Sequence, residues 1–325
     1  MKKIGFITTP LNSGDSVRGV GFYTKNLLEN LKFLASKYDL VIAEDNFNVD
    51  LIHYPYFNLF SHTLPIFRVC RTVVTIHDVI PLEFPDHYPP GIKGSINLQL
   101  QKLALSGVER VITDSYASLK SIRKYLRVPH HKLKLVYLAS DKRFKKIKSP
   151  RNKFNLPAKF VLYVGDVNYN KNIPNLIKAC KMAELPLIIV GKVAAEVEKM
   201  DLSHPELRHL QGVDWSNVTK LGFVTDSDLV DIYNLATVYC QPSFAEGFGL
   251  PVLEAMACGT PVACSNVSSL PELGGDMATY FDPGDVGDMV KALKTAKSRN
   301  SKEWLSKFSW EKTAKETLKV YREVI

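Results

Sequence analysis

Short apolar runs alternate with amphipathic stretches along nearly the whole chain, and this alternation constrains the fold more than any other feature. In the first half, KKIGFITTP and RTVVTIHD are typical of strands, whereas GFYTKNLLENLKFLASKY has apolar residues at helical spacing. In the second half, TVYCQPS is typical of a strand and LPVLEAMAC of a helix. Strands that alternate with helices favour a parallel sheet with helices on both faces. The sequence therefore predicts an α/β protein with two doubly wound parallel sheets in tandem.

One segment interrupts the alternation and marks the predicted boundary between two domains. DKRFKKIKSPRNKFNLPAK is charged, punctuated by proline and poorly periodic. A chain of 325 residues is long enough for about two domains. We therefore expect one domain over residues 1–148 and a second over residues 149–309. In sheets of this kind, ligands bind beyond the carboxyl ends of the strands.

The net positive charge of the chain comes entirely from its first half. Residues 1–150 contain 22 Lys and Arg against 12 Asp and Glu, a net of +10, and the remaining residues contain 20 against 21, a net of −1. A basic half predicts an anionic partner such as a lipid surface, a phosphate or a nucleic acid. Nucleic acid is not expected, because no recognition-helix or base-stacking motif accompanies the charge.

The expected compartment is the cytoplasm. No run of about 18 apolar residues predicts a membrane-spanning helix, and the start MKKIGFITTPLNSGD turns polar too early for a secretory signal. The five cysteines are odd in number and show no C-x-x-C spacing. We expect them to be reduced core residues.

The stretch FAEGFGLPVLEAMACGTPV predicts an anion site at the start of a helix. It follows a buried strand, and Pro251 suits the first helical position. The N–H groups of Phe248, Gly249 and Leu250 would point out of the helix N-terminus, where anions bind. Gly247 and Gly249 would allow close backbone approach. Glu254 is expected in the first turn, where it would accept hydrogen bonds from hydroxyls such as those of a ribose. The alternative is a set of ordinary turn glycines with a helix-favouring acid.

Three other features are weaker. Gly19 and Gly21 lie between the first strand and first helix, either as a phosphate loop or as a simple tight turn. His77 follows an apolar strand, where a structural histidine is the alternative to a ligand contact. In TDSDLVDIY, Thr225 or Asp226 is expected to cap a helix rather than to bind a metal.

A basic helix is predicted over SLKSIRKYL, with cations on one face. These are Lys120, Arg123, Lys124 and Arg127, at i, i+3, i+4 and i+7. The face is either simply solvated, or it contacts anionic headgroups or a phosphate-bearing lipid acceptor.

The stretch from Phe244 to Val262 closely resembles the E-x7-E signature of the retaining glycosyltransferases of family 4, with Glu246 and Glu254 as its two acids. The resemblance extends over most of the chain, and RGVGFYTKNLL and TIHDVIPLEFPDHYP are similar to the mannosyltransferase-like branch. It implies a GT-B fold, in which two Rossmann-like domains face each other across a cleft. The N-terminal domain would serve the acceptor, the C-terminal domain would bind a nucleotide sugar, and helix 310–325 would pack back on the first.

The same resemblance implies roles for individual residues. Glu254 would hold the ribose, Glu246 and His77 would contact the donor sugar, and Lys171 would neutralise the departing diphosphate. The catalytic group would then be Glu246, His77 and Lys171. The other donor-binding residues would be Gly19, Gly21, Gly165, Asn170, Phe223, Val224, Gly247, Phe248, Gly249 and Leu250.

One position departs from the family pattern, which has Arg before Lys where this chain has Asn170 and Lys171. The missing cation would come from elsewhere, with Arg18 as a candidate.

The resemblance implies a retaining, metal-independent hexosyltransferase with no cofactor, GDP-mannose as the favoured donor and a glycan or lipid-linked acceptor. Peripheral attachment to the inner face of the membrane is compatible with the basic half. Two alternatives remain at this point: a nucleotide-sugar epimerase of the same fold, and a non-catalytic basic module that binds membrane or nucleic acid.

Overall fold

The structure is a computed structural model that describes residues 1–12 and 19–325. It divides the chain into two units. Unit 1 comprises Met1–Glu83, Pro90–Ala139 and Phe308–Ile325, and unit 2 comprises Phe84–Pro89 and Ser140–Lys307. The C-terminal segment thus belongs to unit 1, and unit 2 begins before the boundary of 148 that the sequence suggested. Arg18, the candidate for a second cation, lies outside the described residues.

The described residues form twelve strands and twelve α-helices, which are numbered in chain order. The strands are β1 Lys2–Phe6, β2 Leu40–Glu44, β3 Leu51–Tyr54, β4 Arg71–Thr75, β5 Arg110–Thr113, β6 Leu133–Leu135, β7 Val161–Val164, β8 Leu187–Val190, β9 Val218–Leu221, β10 Val238–Gln241, β11 Val262–Ser265 and β12 Thr279–Phe281. The helices are α1 Gly19–Leu34, α2 Ile80–Glu83, α3 Gly91–Ser106, α4 Tyr116–Leu126, α5 Ile173–Ala183, α6 Lys192–Glu196, α7 Asp226–Leu235, α8 Leu250–Cys258, α9 Leu270–Gly274, α10 Val286–Thr295, α11 Lys302–Leu305 and α12 Trp310–Val324.

Each unit is built on one six-stranded parallel sheet. The order is β2-β1-β3-β4-β5-β6 in unit 1 and β12-β11-β10-β7-β8-β9 in unit 2. The second order is that of a doubly wound dinucleotide-binding sheet, in which the chain reverses direction between β7 and β10. The predicted α/β architecture with two doubly wound parallel sheets is confirmed.

The central strands β7 and β8 of unit 2 are continuous apolar runs because both faces of the sheet are covered there. Along β8, Leu187 and Ile189 enter one core cluster, and Ile188 and Val190 enter the other. Successive side chains point to opposite faces of a strand, so one run of four residues serves both cores.

In unit 1, helix α12 packs against α1 and is tied to the sheet by a buried polar network. His53 on β3 lies with Nδ1 2.6 Å from the Tyr321 hydroxyl of α12 and Nε2 2.8 Å from the Thr75 hydroxyl. Tyr23 of α1 reaches the same Thr75 hydroxyl at 2.9 Å. The four side chains of this network each have a hydrogen-bond partner, so the network ties the C-terminal helix to the sheet.

The charged segment after Ser140 packs on unit 2 rather than linking two domains freely. Phe144 and Phe160 are buried in the unit 2 core. Arg151 donates to Asp231 on α7 at 2.9 Å, and Lys153 donates to Asp228 at 2.8 Å. The sequence predicted this segment only as a domain boundary, and its packing partners were not predictable because they lie far along the chain.

Candidate active site

The site is built where the second sheet reverses direction, beyond the carboxyl ends of β7 and β10. Gly165 follows β7 with a φ of 148°, and a Cβ at Gly191 would overlap its carbonyl oxygen. The loop after β10 is joined to the loop after β7 by a backbone hydrogen bond from Phe244 N–H to Asn170 C=O, 2.8 Å long. Two neighbouring strand ends thus form one continuous surface.

Glu246 and Lys171 form the charged centre of this surface. Lys171 Nζ lies 2.8 Å from both carboxylate oxygens of Glu246. Oε1 also accepts from Gln241 Nε2 at 2.7 Å and from Ser243 Oγ at 2.6 Å. The Glu246 side chain is 9% exposed and that of Lys171 is 22% exposed. A carboxylate held by three side chains is fixed in place before any ligand binds.

The glycine-rich turn that follows leads directly into α8. Gly249 has a φ of 109°, in the left-handed region that favours glycine, and a Cβ there would lie 3.1 Å from Leu270 Cδ2. Leu250 begins the helix, with Pro251 at its second position. Ser269 Oγ donates to the Phe248 carbonyl at 2.6 Å and supports the turn from α9. Because the first N–H groups of a helix have no intrahelical acceptor, this turn suits an anion.

Glu254 lies in the second turn of α8, whereas the sequence predicted the first turn. The first turn of α8, which begins at Leu250, contains no acid, so Glu254 belongs to the second turn. The prediction failed because the helix begins one residue earlier than Pro251. Glu254 Oε2 accepts from the Tyr233 hydroxyl at 2.8 Å. Burial raises the pKa of Glu254 to about 7, although the Tyr233 hydrogen bond and the Arg143 charge act in the opposite direction.

The loop after β9 carries Phe223 and Val224. The Phe223 ring is 77% exposed, and Val224 is half-buried beside the unit 2 core. Thr225 caps α7 and its hydroxyl accepts from the Asp228 N–H at 3.2 Å, which confirms the expected cap. Asp226 pairs with Arg143.

No group of three or more His, Cys, Asp or Glu side chains in the described residues is arranged to hold a metal ion.

His77 lies in unit 1, at the carboxyl end of β4, and is paired with Asp114 at the end of β5. Its Nδ1 contacts Asp114 Oδ2, and its Nε2 lies 3.2 Å from the Pro55 carbonyl oxygen. Burial lowers the pKa of His77, but the charge of Asp114 and the hydrogen bond to it outweigh this, so the pKa is raised overall. Both ring nitrogens face acceptors, an arrangement that suits the doubly protonated imidazolium.

Two glycines are placed differently from the prediction. Gly19 and Gly21 lie within the first turn of α1 rather than in a loop before it. Gly19 is exposed and Gly21 is buried. A helix start was not expected there because two glycines disfavour a helix by about 1 kcal/mol each.

The predicted basic helix is observed as α4, and Lys120, Arg123 and Lys124 are exposed on it. Arg127 is exposed too, but it follows the helix with a φ of 56°, so it is not part of the helical face that the spacing predicted.

The structure therefore brings Lys171, Asn170 and Glu246 into one hydrogen-bonded group, with the Phe248–Leu250 turn next along the chain. The sequence analysis missed the groups that hold these residues. Gln241 and Ser243 stand in CQPS, where polar residues at the end of a buried strand were a readable signal. Asp114 stands at the end of VERVITDS in the same way. Tyr233 gave no such signal, because it lies in a helix.

Two family descriptions match the chain. "Glycosyl transferases group 1" matches residues 144–315, and "Glycosyltransferase Family 4" matches residues 9–142. O-antigen chain mannosyltransferase B of Escherichia coli is 31% identical over 279 residues, which cover 78% of this chain and 71% of the relative. Serotype-specific mannosyltransferase WbdA of the same organism is 31% identical over 267 residues, which cover 75% of this chain. The match spans about a third of that longer relative, 32% of its length.

Solved structures of similar fold cover nearly the entire chain. Sucrose-phosphate synthase from Thermosynechococcus elongatus superposes with a TM-score of 0.75 at 20% identity, covering 99% of both chains. Anabaena HepE in complex with UDP-glucose superposes with a TM-score of 0.72 at 17% identity, covering 99% of this chain and 100% of that one. The fold is thus of the GT-B type.

Proposed function

Because this chain belongs to glycosyltransferase family 4, we propose that it moves a mannosyl group from a nucleotide diphosphate sugar to a hydroxyl of a glycan or lipid-linked acceptor. The mannosyltransferase names of the relatives at 31% identity support this sugar, and GDP is the favoured nucleotide. The structure of HepE contains UDP-glucose, so a protein of the same fold also binds a different donor.

The observation that carries the proposal is the Lys171–Glu246 pair beside the N-terminus of α8. The diphosphate would lie against the first turn of α8, where helix geometry favours anions. Glu254 would accept hydrogen bonds from the ribose hydroxyls. Gly165 and Asn170 would border the same surface, and Phe223 with Val224 would line the base.

Lys171 suits the stabilisation of a departing diphosphate. Its ammonium group is held 2.8 Å from both oxygens of Glu246, so its position is set in advance. Negative charge that develops on the leaving oxygen would meet a fixed cation, which is the arrangement that lowers a transition-state barrier most effectively. Glu246 would contact the sugar hydroxyls and keep the ammonium group in place.

We favour transfer with retention, on one face of the sugar. The acceptor oxygen would bond to the anomeric carbon as the bond to the diphosphate oxygen breaks, and the acceptor proton would pass to that leaving oxygen. A covalent route would require Glu246 to attack the anomeric carbon. Its Oε1 already accepts from Gln241, Ser243 and Lys171, which opposes that role.

The chemistry would need no metal, because Lys171 and the helix N-terminus supply the positive charge. For His77 we propose contact with the donor sugar, through an imidazolium that Asp114 orients. An acceptor hydroxyl would be served by unit 1. The protein would work at the membrane surface where lipid-linked acceptors lie.

Donor binding and turnover test this proposal separately. Nucleotide sugars that bind the folded chain should raise its melting temperature, since ligand at about 100 times its Kd adds about 2.7 kcal/mol of stability. GDP-mannose is expected to give the largest shift in a panel that includes UDP-glucose. Lys171→Ala should abolish transfer to an acceptor glycan, and Lys178→Ala, which changes an exposed lysine on α5, should not.

The anomeric configuration of the product distinguishes retention from inversion by NMR. A new sugar epimer formed from donor alone would favour the epimerase instead. Unchanged turnover in both Lys171→Ala and Glu254→Ala would refute the assignment of this site.

A further inference from the structure

Helix α3 presents an unusual apolar stripe to solvent. Ile92, Ile96, Leu100 and Leu103 are exposed at spacing i, i+4, i+8 and i+11, which places them on one side of the helix. Ile92 is 85% exposed and Leu103 is 58% exposed. Single exposed apolar residues are ordinary, but a contiguous stripe marks a surface that contacts something other than water.

The loop before β4 extends this stripe. Phe67 is 92% exposed and Val69 is 80% exposed. Between them, Arg68 donates to the Ala104 carbonyl near the end of α3, so the loop is tied to the helix. A cavity of about 380 Å³ opens beside Phe67 and Val69. We call Ile92, Ile96, Leu100 and Leu103 together with Phe67 and Val69 the apolar patch.

Cations surround the apolar patch. Lys93 and Lys102 lie on either side of the α3 stripe by helical periodicity. Helices α3 and α4 contribute Ala104, Leu105, Leu119, Ile122 and Leu126 to the same core cluster, so they cover the same face of the sheet. The exposed Lys120, Arg123 and Lys124 of α4 therefore lie on the same side of the unit 1 sheet as the α3 stripe.

Carboxylates are rare in the segments that build this face, although the charge of Glu83 reaches Lys124. Residues 51–77, 87–108 and 115–140 contain no Asp or Glu. In the described residues, Lys93, Lys102, Lys120, Arg123 and Lys124 form no salt bridge. Lys120 and Lys124 instead lie 4.8 Å and 4.7 Å from the ring centres of Tyr116 and Tyr125. Tyrosines and basic residues around an apolar centre are typical of surfaces that sit at a lipid headgroup layer.

We infer that the apolar patch and the α4 cations form a docking surface for an anionic phospholipid bilayer. The apolar side chains would enter the boundary between headgroups and acyl chains while the cations contact the phosphates. A second copy of the chain fits less well, because it would bring like charges together. The surface extends the proposed action on lipid-linked acceptors, and it is independent of the donor site in unit 2.

Vesicle binding by the full chain tests the surface. Wild type should sediment with vesicles of equal parts phosphatidylglycerol and phosphatidylethanolamine, and not with phosphatidylcholine, at about 0.1 M salt. Ile92→Ser, Ile96→Ser and Leu103→Ser combined should lower binding at least tenfold. Lys120→Gln with Lys124→Gln should lower it about 25-fold, since each cation contributes about a factor of five.

Matched controls are exposed apolar residues elsewhere. Phe33→Ser on α1 and Met182→Ser on α5 should bind as wild type does. Melting temperatures close to that of wild type would show that the Ser variants remain folded. Equal binding of wild type to both vesicle types, or equal losses in the controls, would overturn the inference. So would a wild-type dimer that the triple Ser variant converts to monomer, because the patch would then be a self-association surface.

The proposed donor site can be refuted without refuting the proposed docking surface. The triple Ser variant should keep turnover on a water-soluble acceptor, and Glu254→Ala should bind vesicles normally while turnover is lost. Vesicle binding that persists when no form shows turnover would refute only the proposed function.

Discussion

Donor affinity should depend steeply on pH through Glu254. Burial raises the pKa of this carboxyl to about 7. On the proposed function, the Glu254 anion would accept hydrogen bonds from the ribose hydroxyls, and protonation would convert one of its oxygens to a donor. Two pH units below that value, roughly one side chain in a hundred is ionised, because each unit is a factor of ten. The Kd for a nucleotide sugar should therefore rise by about 100-fold between pH 8 and pH 5.

Calorimetric titration of GDP-mannose at pH 5, 6, 7 and 8 measures this dependence. The diphosphate diester of a nucleotide sugar does not titrate in this range, and Glu254→Gln provides the matched baseline without a titrating carboxyl. Tyr233→Phe should move the midpoint of this pH dependence upward. The hydrogen bond from the Tyr233 hydroxyl lowers the pKa of Glu254, so its removal raises that pKa. A wild-type Kd that stays flat from pH 5 to 8, or one that changes equally in Glu254→Gln, would refute the reasoning.

Three further outcomes are expected. Tyr321→Phe should reduce the free energy of unfolding by about 1–3 kcal/mol in urea titrations, because His53 Nδ1 would be buried without its partner. In Glu254→Gln, which removes the proton that folded Glu254 takes up below pH 7, the unfolding free energy should also fall as pH drops below 6.5, since burial lowers the pKa of His53 to about 3 and the unfolded chain alone takes up that proton; a flat profile of this variant between pH 6.5 and 5 would contradict this. Gly249→Ala should weaken donor binding and cost about 1–3 kcal/mol, more than Gly212→Ala, which has only the strain of its φ of 70° because its added Cβ meets nothing within 4 Å.

The strands were predictable from the sequence because parallel strands buried on both faces are uninterrupted apolar runs. LIIV at β8 and VYCQ at β10 are examples. Helix starts were less predictable. The one-residue error at α8 moved Glu254 from the second turn to the first, and α1 begins through two glycines that propensity disfavours. Tertiary packing helps to decide where a helix begins, and a local sequence pattern carries no information about that packing.

In the candidate site too, local features were predictable from the sequence and tertiary contacts were not. The glycine turn was predicted because a strand, a turn and a helix start are local patterns, whereas the roles of Glu246 and Lys171 were assigned from the family resemblance. The partner of Glu254, the hydroxyl of Tyr233, lies on another helix, and the partner of His77, Asp114, lies on the next strand. Such pairs become predictable only when strand order is known. With β4 and β5 adjacent, polar residues that end both strands are expected to meet.

Asn170 explains how the chain tolerates the loss of the family arginine. It is only 4% exposed, and its side chain accepts from the Tyr88 hydroxyl at 2.6 Å and donates to the Ala245 carbonyl at 2.9 Å. Asn170 thus holds Ala245, the residue before Glu246, and presents no charge. A guanidinium there could still donate to the Ala245 carbonyl, but it has no acceptor for the Tyr88 hydroxyl. On the proposed function, the neutralisation of the diphosphate would then fall on Lys171, which Glu246 holds at 2.8 Å, and on the first turn of α8.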